Sequence, residues 1–389
     1  MALAEALAAR TEALCRTLSP IGSEAALCAE VERWARARFP AVTRVGDSLV
    51  VRVDGLPSVR PSTLRQAQGS GRTDSLETAR GEPVEPRAGN GRPTIALCGH
   101  LDTVPVAEAD LGPPRRDGGR LVAPGASDMK GGLALMMALA EDLPHEERFC
   151  DLVLVFYARE EGPYAGNELQ ALLDAPGLLA GIDLALCLEP TDNTLQLGCV
   201  GSMHATFEFR GRAAHSARPW QGENAVHRAG ALLAELHART PRDAVSGGLV
   251  YREVLSCTRI EGGRARNVVP DRCALNLNFR FAPDRTVEDA AAELEALAAA
   301  HGAACEITDR SPACPAFADH PLVRRLADRA RLSESAKQAW TDVARLAAHG
   351  IPAANLGPGA TAQAHQQGEW IEVAELARGY EAYAAFLRR

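Results

Sequence analysis

Residues 151–158 read DLVLVFYA, an apolar run with no polar face, long enough for a strand and too short for a buried helix. A strand apolar on both sides needs cover on both, which places it inside a sheet sandwiched by helices. The pattern recurs along the chain. Thr94–Cys98 and Asp183–Leu188 are further apolar strands, Met129–Leu143 is helical, and helices near 166–180 precede the strand at 183. Strand, loop and helix in repetition predict an α/β fold with a mixed, mostly parallel sheet between helical layers. Polar residues just after those strands would line one rim, where such folds carry their sites.

The middle of the chain changes style. Met203–Arg210 alternates polar and apolar, 223–239 is helical, Val254–Ile260 and Arg272–Phe281 are strands, 286–301 is a helix and Cys305–Thr308 a short strand. This β-α-β-β-α-β order predicts an inserted ferredoxin-like α+β domain. Its uncovered face and edge need a partner, which makes it a dimerisation or lid module and the protein a homodimer. The α/β style returns after residue 312, with a strand at Ile351–Leu356 and a closing helix over 373–388. The expected division is therefore 1–200 and 312–389 for a catalytic domain and 201–311 for the insert. Two amphipathic helices, 2–18 and 22–38, open the chain before a strand at Asp47–Val53. The stretch Pro57–Pro93 holds five Pro, five Gly and six Arg, with no Ile, Phe, Tyr or Trp. It cannot bury enough apolar surface to offset its ordering entropy, so it reads as a poorly ordered surface insertion in a hairpin connection.

Composition excludes some partners. A net charge of −8 and 5% aromatics argue against nucleic acid, which needs a basic surface and stacking platforms. The longest apolar run, Leu133–Ala140, falls far short of the ~20 residues that span a bilayer, and the N-terminus lacks a signal-peptide pattern. Ten scattered cysteines without a C-x-x-C pair read as buried, reduced thiols. A soluble cytoplasmic protein is the expectation.

The chemistry lies after the strands. His100 follows the first, with Asp102 two residues on; in an extended chain both leave the same side, so the carboxylate can fix the ring tautomer. Asp128 opens a helix, Glu160-Glu161 follow DLVLVFYA, Glu189 follows the strand LALCL, and His365 follows IPAANL and Gly357-Pro358-Gly359. Each has a bland explanation alone: a loop histidine, an N-cap aspartate, a solvated acid. Together they converge on one rim. Nitrogen and oxygen donors of this kind suit Zn²⁺, with Co²⁺ or Mn²⁺ as less favoured occupants. Two histidines and an odd number of carboxylates suggest two ions bridged by one carboxylate, with another held off as general base. The double glutamate supplies that division, since adjacent side chains diverge. H-E-x-x-H, G-x-S-x-G and the P-loop are absent, and 357–362 fits a dinucleotide fingerprint in letters only.

GHLDTVP at 99–105, SDMKGG at 127–132, EEG at 160–162, LEP at 188–190 and GPG…AH at 357–365 together resemble the co-catalytic zinc aminoacylase/carboxypeptidase family of metallohydrolases. The resemblance spans about residues 5–389 outside the 57–93 insertion. Within the family it is nearest to the succinyl-diaminopimelate desuccinylases, through RGRAAHSARPWQGENAVH at 210–227, RNVVPDRC at 266–273 and NFRFAPDRT at 278–286. It implies a zinc-exopeptidase-like fold and two Zn²⁺, one on His100 and Glu189 and the other on Glu161 and His365, with Asp128 bridging. It also implies Asp102 as the residue orienting His100, Glu160 as general base, and His215 reaching the partner subunit's active site. Asn267, Arg280, Gly357 and Gly359 would bind substrate. The implied reaction is hydrolysis of an N-acyl amide, with N-succinyl-L,L-diaminopimelate preferred. Acetylornithine deacetylation or another N-acyl-amino-acid hydrolysis is the alternative, a dipeptidase or carboxypeptidase comes third, and a non-catalytic scaffold would lack a ligand or the base. Val122-Ala123-Pro124-Gly125-Ala126 departs from the Gly-rich stretch usual before the bridging Asp, without removing a ligand.

Overall fold

The computed structural model describes residues 1–55 and 91–389. Its strands are β1 Ala41–Val45, β2 Ser48–Arg52, β3 Thr94–His100, β4 Arg115–Asp117, β5 Arg120–Val122, β6 Asp151–Tyr157, β7 Leu184–Cys187, β8 Leu195–Leu197, β9 Gly201–Arg210, β10 Arg242–Ser246, β11 Leu249–Gly262, β12 Arg272–Phe281, β13 Ala304–Ser311, β14 Glu334–Ala336, β15 Ala353–Asn355 and β16 Trp370–Glu372. Eight of them form one sheet in the order β1-β2-β6-β3-β7-β15-β8-β14. The central run β6-β3-β7-β15 is parallel, while β1–β2, β2–β6 and β15–β8 are antiparallel.

The period of two along β6 explains the two helical layers. Leu152, Leu154 and Phe156 pack into a core shared with α1 (Ala2–Cys15), α2 (Ala25–Arg36), α3 (Gly131–Asp142), α7 (Pro321–Ala330) and α9 (Val373–Leu387). Val153, Val155 and Tyr157 point the other way, onto Leu169 and Leu172 of α4 (Leu169–Asp174) and Val343, Ala344 and Leu346 of α8 (Val343–Ala348). The expected helical span 166–180 yields only α4, because Pro176 disfavours helix at the residue before it.

One expectation about connectivity is corrected. β2 and β3 are not hairpin neighbours, since β6 lies between them, antiparallel to β2 and parallel to β3. The most apolar strand takes the position that covers both its edges and both its faces. Of the 57–93 stretch expected to be poorly ordered, residues 57–90 lie outside the described residues.

A second, wholly antiparallel sheet has the order β10-β11-β12-β9-β13. Helices α5 (Ala225–Ala238) and α6 (Val287–Ala300) cover one face, with Phe207, Phe209, Leu275, Leu277 and Phe279 against Ala229, Leu232 and Leu294. Asn224 caps α5, and Thr286 with Asp289 forms a capping box on α6. The order β11-β12-β9-β13 is ferredoxin-like, with β10 an added edge strand. Gly247-Gly248, both at positive φ, makes the tight β10–β11 turn.

A small third sheet, β16-β5-β4, joins the C-terminal region to the loop before α3. It carries Glu369 to the rim of the large sheet.

Candidate metal centre

His100 is the last residue of β3 and is 1% exposed. Its Nε2 lies 3.1 Å from Asp128 Oδ1, and its Nδ1 lies 3.0 Å from the Asp102 backbone carbonyl. The hydrogen bond between Asp102 and the ring uses the Asp102 backbone carbonyl rather than its carboxylate. That carboxylate is 3.7 Å from Nδ1 and instead accepts the backbone N–H groups of Glu160 at 3.1 Å and Glu161 at 2.9 Å. The strand ends at His100, so the extended geometry behind the expectation stops one residue too early. Asp102 still serves the ring through its carbonyl, which fixes the Nδ1–H tautomer, while its side chain holds the double-glutamate turn.

Asp128 sits in a kinked turn, Ala126–Lys130, ahead of α3, and does not cap that helix. Its other oxygen, Oδ2, lies 3.9 Å from His365 Nε2, so each carboxylate oxygen faces a different imidazole. His365 Nε2 is also 2.9 Å from Glu161 Oε2. Arg159 and His365 have left-handed backbones, at φ 64° and 61°, and each aims a site residue from the end of a loop.

Glu189, after β7, is 5% exposed, and its Oε1 has no hydrogen-bond partner among the described residues. Burial, then the nearby Asp128 charge, pushes its carboxyl up to about 7. Glu160 is held well above the usual carboxylate range by burial and by the Glu189 and Glu161 charges. Burial alone would lower His100, but its Asp128 bond and the charges of Asp102, Glu189 and Glu160 raise it well above the ordinary imidazole value. The Glu161 bond raises His365 as well.

Four carboxylates thus crowd two imidazoles on one rim, with one buried carboxylate oxygen unpaired. Donor atoms of His100, Asp128 and Glu161 all lie within 4.8 Å of one another. Hard and borderline N/O donors, excess negative charge and an orphaned oxygen are what a divalent cation pair would satisfy. Asp54, His145 and Asp151 offer a second group of donors within the same span, but Arg148 pairs with Asp54 at 2.5 Å and Arg92 lies beside Asp151. Its charge is already balanced.

Gly357 and Gly359 serve close approach. A Cβ at Gly357 would meet the Glu189 carbonyl at 2.3 Å, and one at Gly359 the Ser127 carbonyl at 2.3 Å. Both glycines therefore press the His365 loop onto the two loops that carry Glu189 and Asp128. His215 and Asn267 lie together on exposed loops of the small sheet, where His215 bridges Val268 and Ser216 N–H donates to the Asn267 carbonyl at 2.9 Å. Arg280 lies on β12. None of their hydrogen bonds reaches the cluster.

Two residues of the centre escaped the sequence reading. Glu369 accepts the N–H groups of Gly125 (2.6 Å), Ser127 (2.6 Å) and Asp128 (2.8 Å), and so clamps the turn that presents Asp128. Burial pushes its carboxyl to about 7 despite those donors. Lys337 is buried with Nζ 3.4 Å from the Pro190 carbonyl, and its charge acts on Glu189 and Asp128. Lys130 and Lys337 are the only lysines among 42 basic residues, and both are buried, a signal available in the sequence.

The large sheet and this donor set define a metal-dependent hydrolase. The chain belongs to peptidase family M20/M25/M40, whose model matches residues 96–389. A Mycobacterium tuberculosis protein assigned as the succinyl-diaminopimelate desuccinylase DapE is 38% identical over 75% of this chain and 82% of its own length. The succinyl-diaminopimelate desuccinylase of Corynebacterium glutamicum is 35% identical over 72% of this chain and 77% of its own. The aminopeptidase PepT of Bacillus cereus shares the fold, with a TM-score of 0.71 over 99% of this chain and 98% of its own at 19% identity. The protein is thus a metal-dependent amidohydrolase with a candidate dinuclear centre. Among the described residues, no helix is long and apolar enough to cross a membrane.

The raised groups predict how metal binds. Cations need deprotonated ligands, whereas burial and the crowd of carboxylates favour the protonated forms of Glu189, His100 and His365 in the metal-free site. Titrating Zn²⁺ into stripped protein at pH 7, in buffers of different ionisation enthalpy, should show net release of about one proton or more. Apparent affinity should rise with pH. A heat independent of the buffer would contradict this electrostatic picture.

Proposed function

We propose that the protein hydrolyses N-succinyl-L,L-diaminopimelate to succinate and L,L-diaminopimelate. The observation that carries the chemistry is Asp128 between His100 and His365, with Glu189 unpaired and Glu160 outside every ion pair of the cluster. Relatives named as desuccinylases support the substrate. In this reading His100 and Glu189 would hold one Zn²⁺, Glu161 and His365 the other, and Asp128 both. The pair would supply Lewis acidity to a water and to the scissile carbonyl.

The chain's own residues do the rest. Glu160 takes a proton from the attacking water as the C–O bond forms, and returns it to the amide nitrogen as the C–N bond breaks. Its elevated carboxyl suits both halves of that transfer. Asp102 orients His100 through its carbonyl and fixes Glu160 through its side chain. His215 of the partner subunit donates to the developing oxyanion. Asn267 and Arg280 bind the substrate ends, and Gly357 and Gly359 shape the floor beneath them.

A homodimer through residues 201–311 follows from the role of His215. Exposed Val245, Val250, Val254 and Ile260 on β10 and β11 support it. Ten unpaired cysteines favour the reducing cytoplasm. Comparing kcat/KM for N-succinyl-L,L-diaminopimelate and N-acetyl-L-ornithine on zinc-loaded protein tests the substrate. The succinyl substrate should lead by about a hundredfold or more, the scale of losing one charged contact. Preference for the acetyl substrate would move the assignment to the deacetylase branch.

A further inference from the structure

The arginines along the small sheet are nearly all spoken for. Arg210 and Arg272 pair with Glu208, Arg242 with Glu253 and Asp284, Arg252 with Asp243, and Arg259 with Glu261. Arg280 is half-buried where each of these is exposed, and it makes no ion pair among the described residues. Burial lowers its pKa against the opposing charge of Asp309, which forms no ion pair with it among the described residues. It stands on the open face of the sheet, paired in register with Ser202 at the start of β9.

That guanidinium is held by a row of polar side chains across the open face. Arg280 Nε donates to Asn278 Oδ1 at 3.0 Å, and Asn278 Nδ2 lies 2.8 Å from His204 Nε2. His204 Nδ1 lies 3.2 Å from Asn276 Nδ2, which donates to Thr258 Oγ1 at 2.6 Å. Thr308 Oγ1 donates to the His204 carbonyl at 3.3 Å. The sheet's register breaks at both ends of this row, between Cys257 and Arg259 in β11 and between Ile307 and Asp309 in β13. Bulges re-aim side chains, and here they turn Thr258 and Thr308 toward the row.

Donor arithmetic fixes the protons. Arginine only donates, so Asn278 must offer its oxygen to Arg280 and its amide N–H to His204. The Nε2 of His204 must then accept, which leaves the proton on Nδ1. That Nδ1–H faces the Asn276 carboxamide and is satisfied when the carboxamide turns its oxygen to the ring, while the Thr258 hydroxyl donates to the Asn276 backbone carbonyl at 3.4 Å.

We propose that His204, acting through Asn278, is the positioning residue that sets Arg280 for a carboxylate of the substrate. This rests on the reading of Arg280 as a substrate contact. Removing the acceptor on His204 frees the Asn278 amide to rotate, and the guanidinium loses its fixed direction without losing its charge. Binding of the carboxylate weakens while the hydrolytic groups stay in place.

The test uses zinc-loaded full-length protein with N-succinyl-L,L-diaminopimelate and N-acetyl-L-ornithine, both of which carry carboxylates. His204→Leu should raise KM about tenfold on whichever is turned over, with kcat within about twofold. His204→Gln, which keeps an acceptor at the Nε2 position, should restore KM to within about threefold of wild type. Arg280→Ala should raise KM further, and adding His204→Leu to it should change nothing more. Long-range ¹⁵N–¹H spectra of ring-labelled histidines should show His204 as the Nδ1–H tautomer, a signature independent of substrate and absent from His204→Gln. An additive double variant, an Nε2–H tautomer, or a KM unmoved by His204→Leu while Arg280→Ala raises it would overturn the positioning role. A KM unmoved by Arg280→Ala would overturn the carboxylate contact and the positioning role with it, while the spectrum still reports whether the row is built as described.

Discussion

Glu160→Ala should lose turnover by roughly 10²–10⁴-fold while keeping its fold and both metal sites. The expectation follows from geometry. Adjacent glutamates leave β6 in different directions, and only Glu161 meets His365. The Glu160 backbone is tied to Asp102, yet its carboxylate joins no ion pair among the described residues. Removing it also removes one of four crowded carboxylates, so the metal-free variant should unfold no lower than metal-free wild type. Zinc content by mass spectrometry, melting temperature and kcat separate the effects. Lost zinc would make Glu160 a ligand, and undiminished turnover would place the base elsewhere.

The second large effect concerns His215. It sits on an exposed loop of the small sheet, and its hydrogen bond, accepted by Nδ1 from Ala217 N–H at 3.1 Å, leaves Nε2 free to act elsewhere. If Nε2 serves the partner subunit, His215→Ala should lower kcat by about 10²–10³-fold, the scale of one lost oxyanion donor. The decisive experiment mixes two inactive chains. Glu160→Ala supplies an intact His215 to a His215→Ala neighbour with an intact Glu160, so each exchanged dimer holds one complete site. Activity should recover to about a quarter of wild type after subunit exchange at equal amounts, half the dimers being mixed with one working site each. No recovery, with exchange verified, would confine His215 to its own subunit.

Much of this centre is legible in the sequence because a parallel sheet places strand ends together. His100 ends β3, Glu160 and Glu161 follow β6, and Glu189 follows β7, so three apolar runs point to one rim. The small sheet is equally legible, since Arg272–Phe281 alternates strictly and Thr286 with Asp289 announces α6. What stays hidden depends on three-residue strands and on distance along the chain. β4, β5 and β16 are too short to show a period, yet their sheet carries Glu369 to Asp128 across 241 residues. The His204 row is hidden for another reason. Each member reads as an ordinary polar residue on a half-exposed strand, and only the register aligns them. That Asp102 meets His100 through its carbonyl is hidden too, because a two-residue spacing places side chains together only while the chain stays extended.

The central claim is that this rim hydrolyses an N-acyl amide and needs metal to do so. Succinate release from N-succinyl-L,L-diaminopimelate should be absent from stripped protein and return in proportion to added Zn²⁺, with kcat/KM above about 10⁴ M⁻¹s⁻¹. Release by stripped protein at the same rate would contradict the metal centre. Zinc bound at the expected sites with no release of any acyl group would contradict the hydrolase.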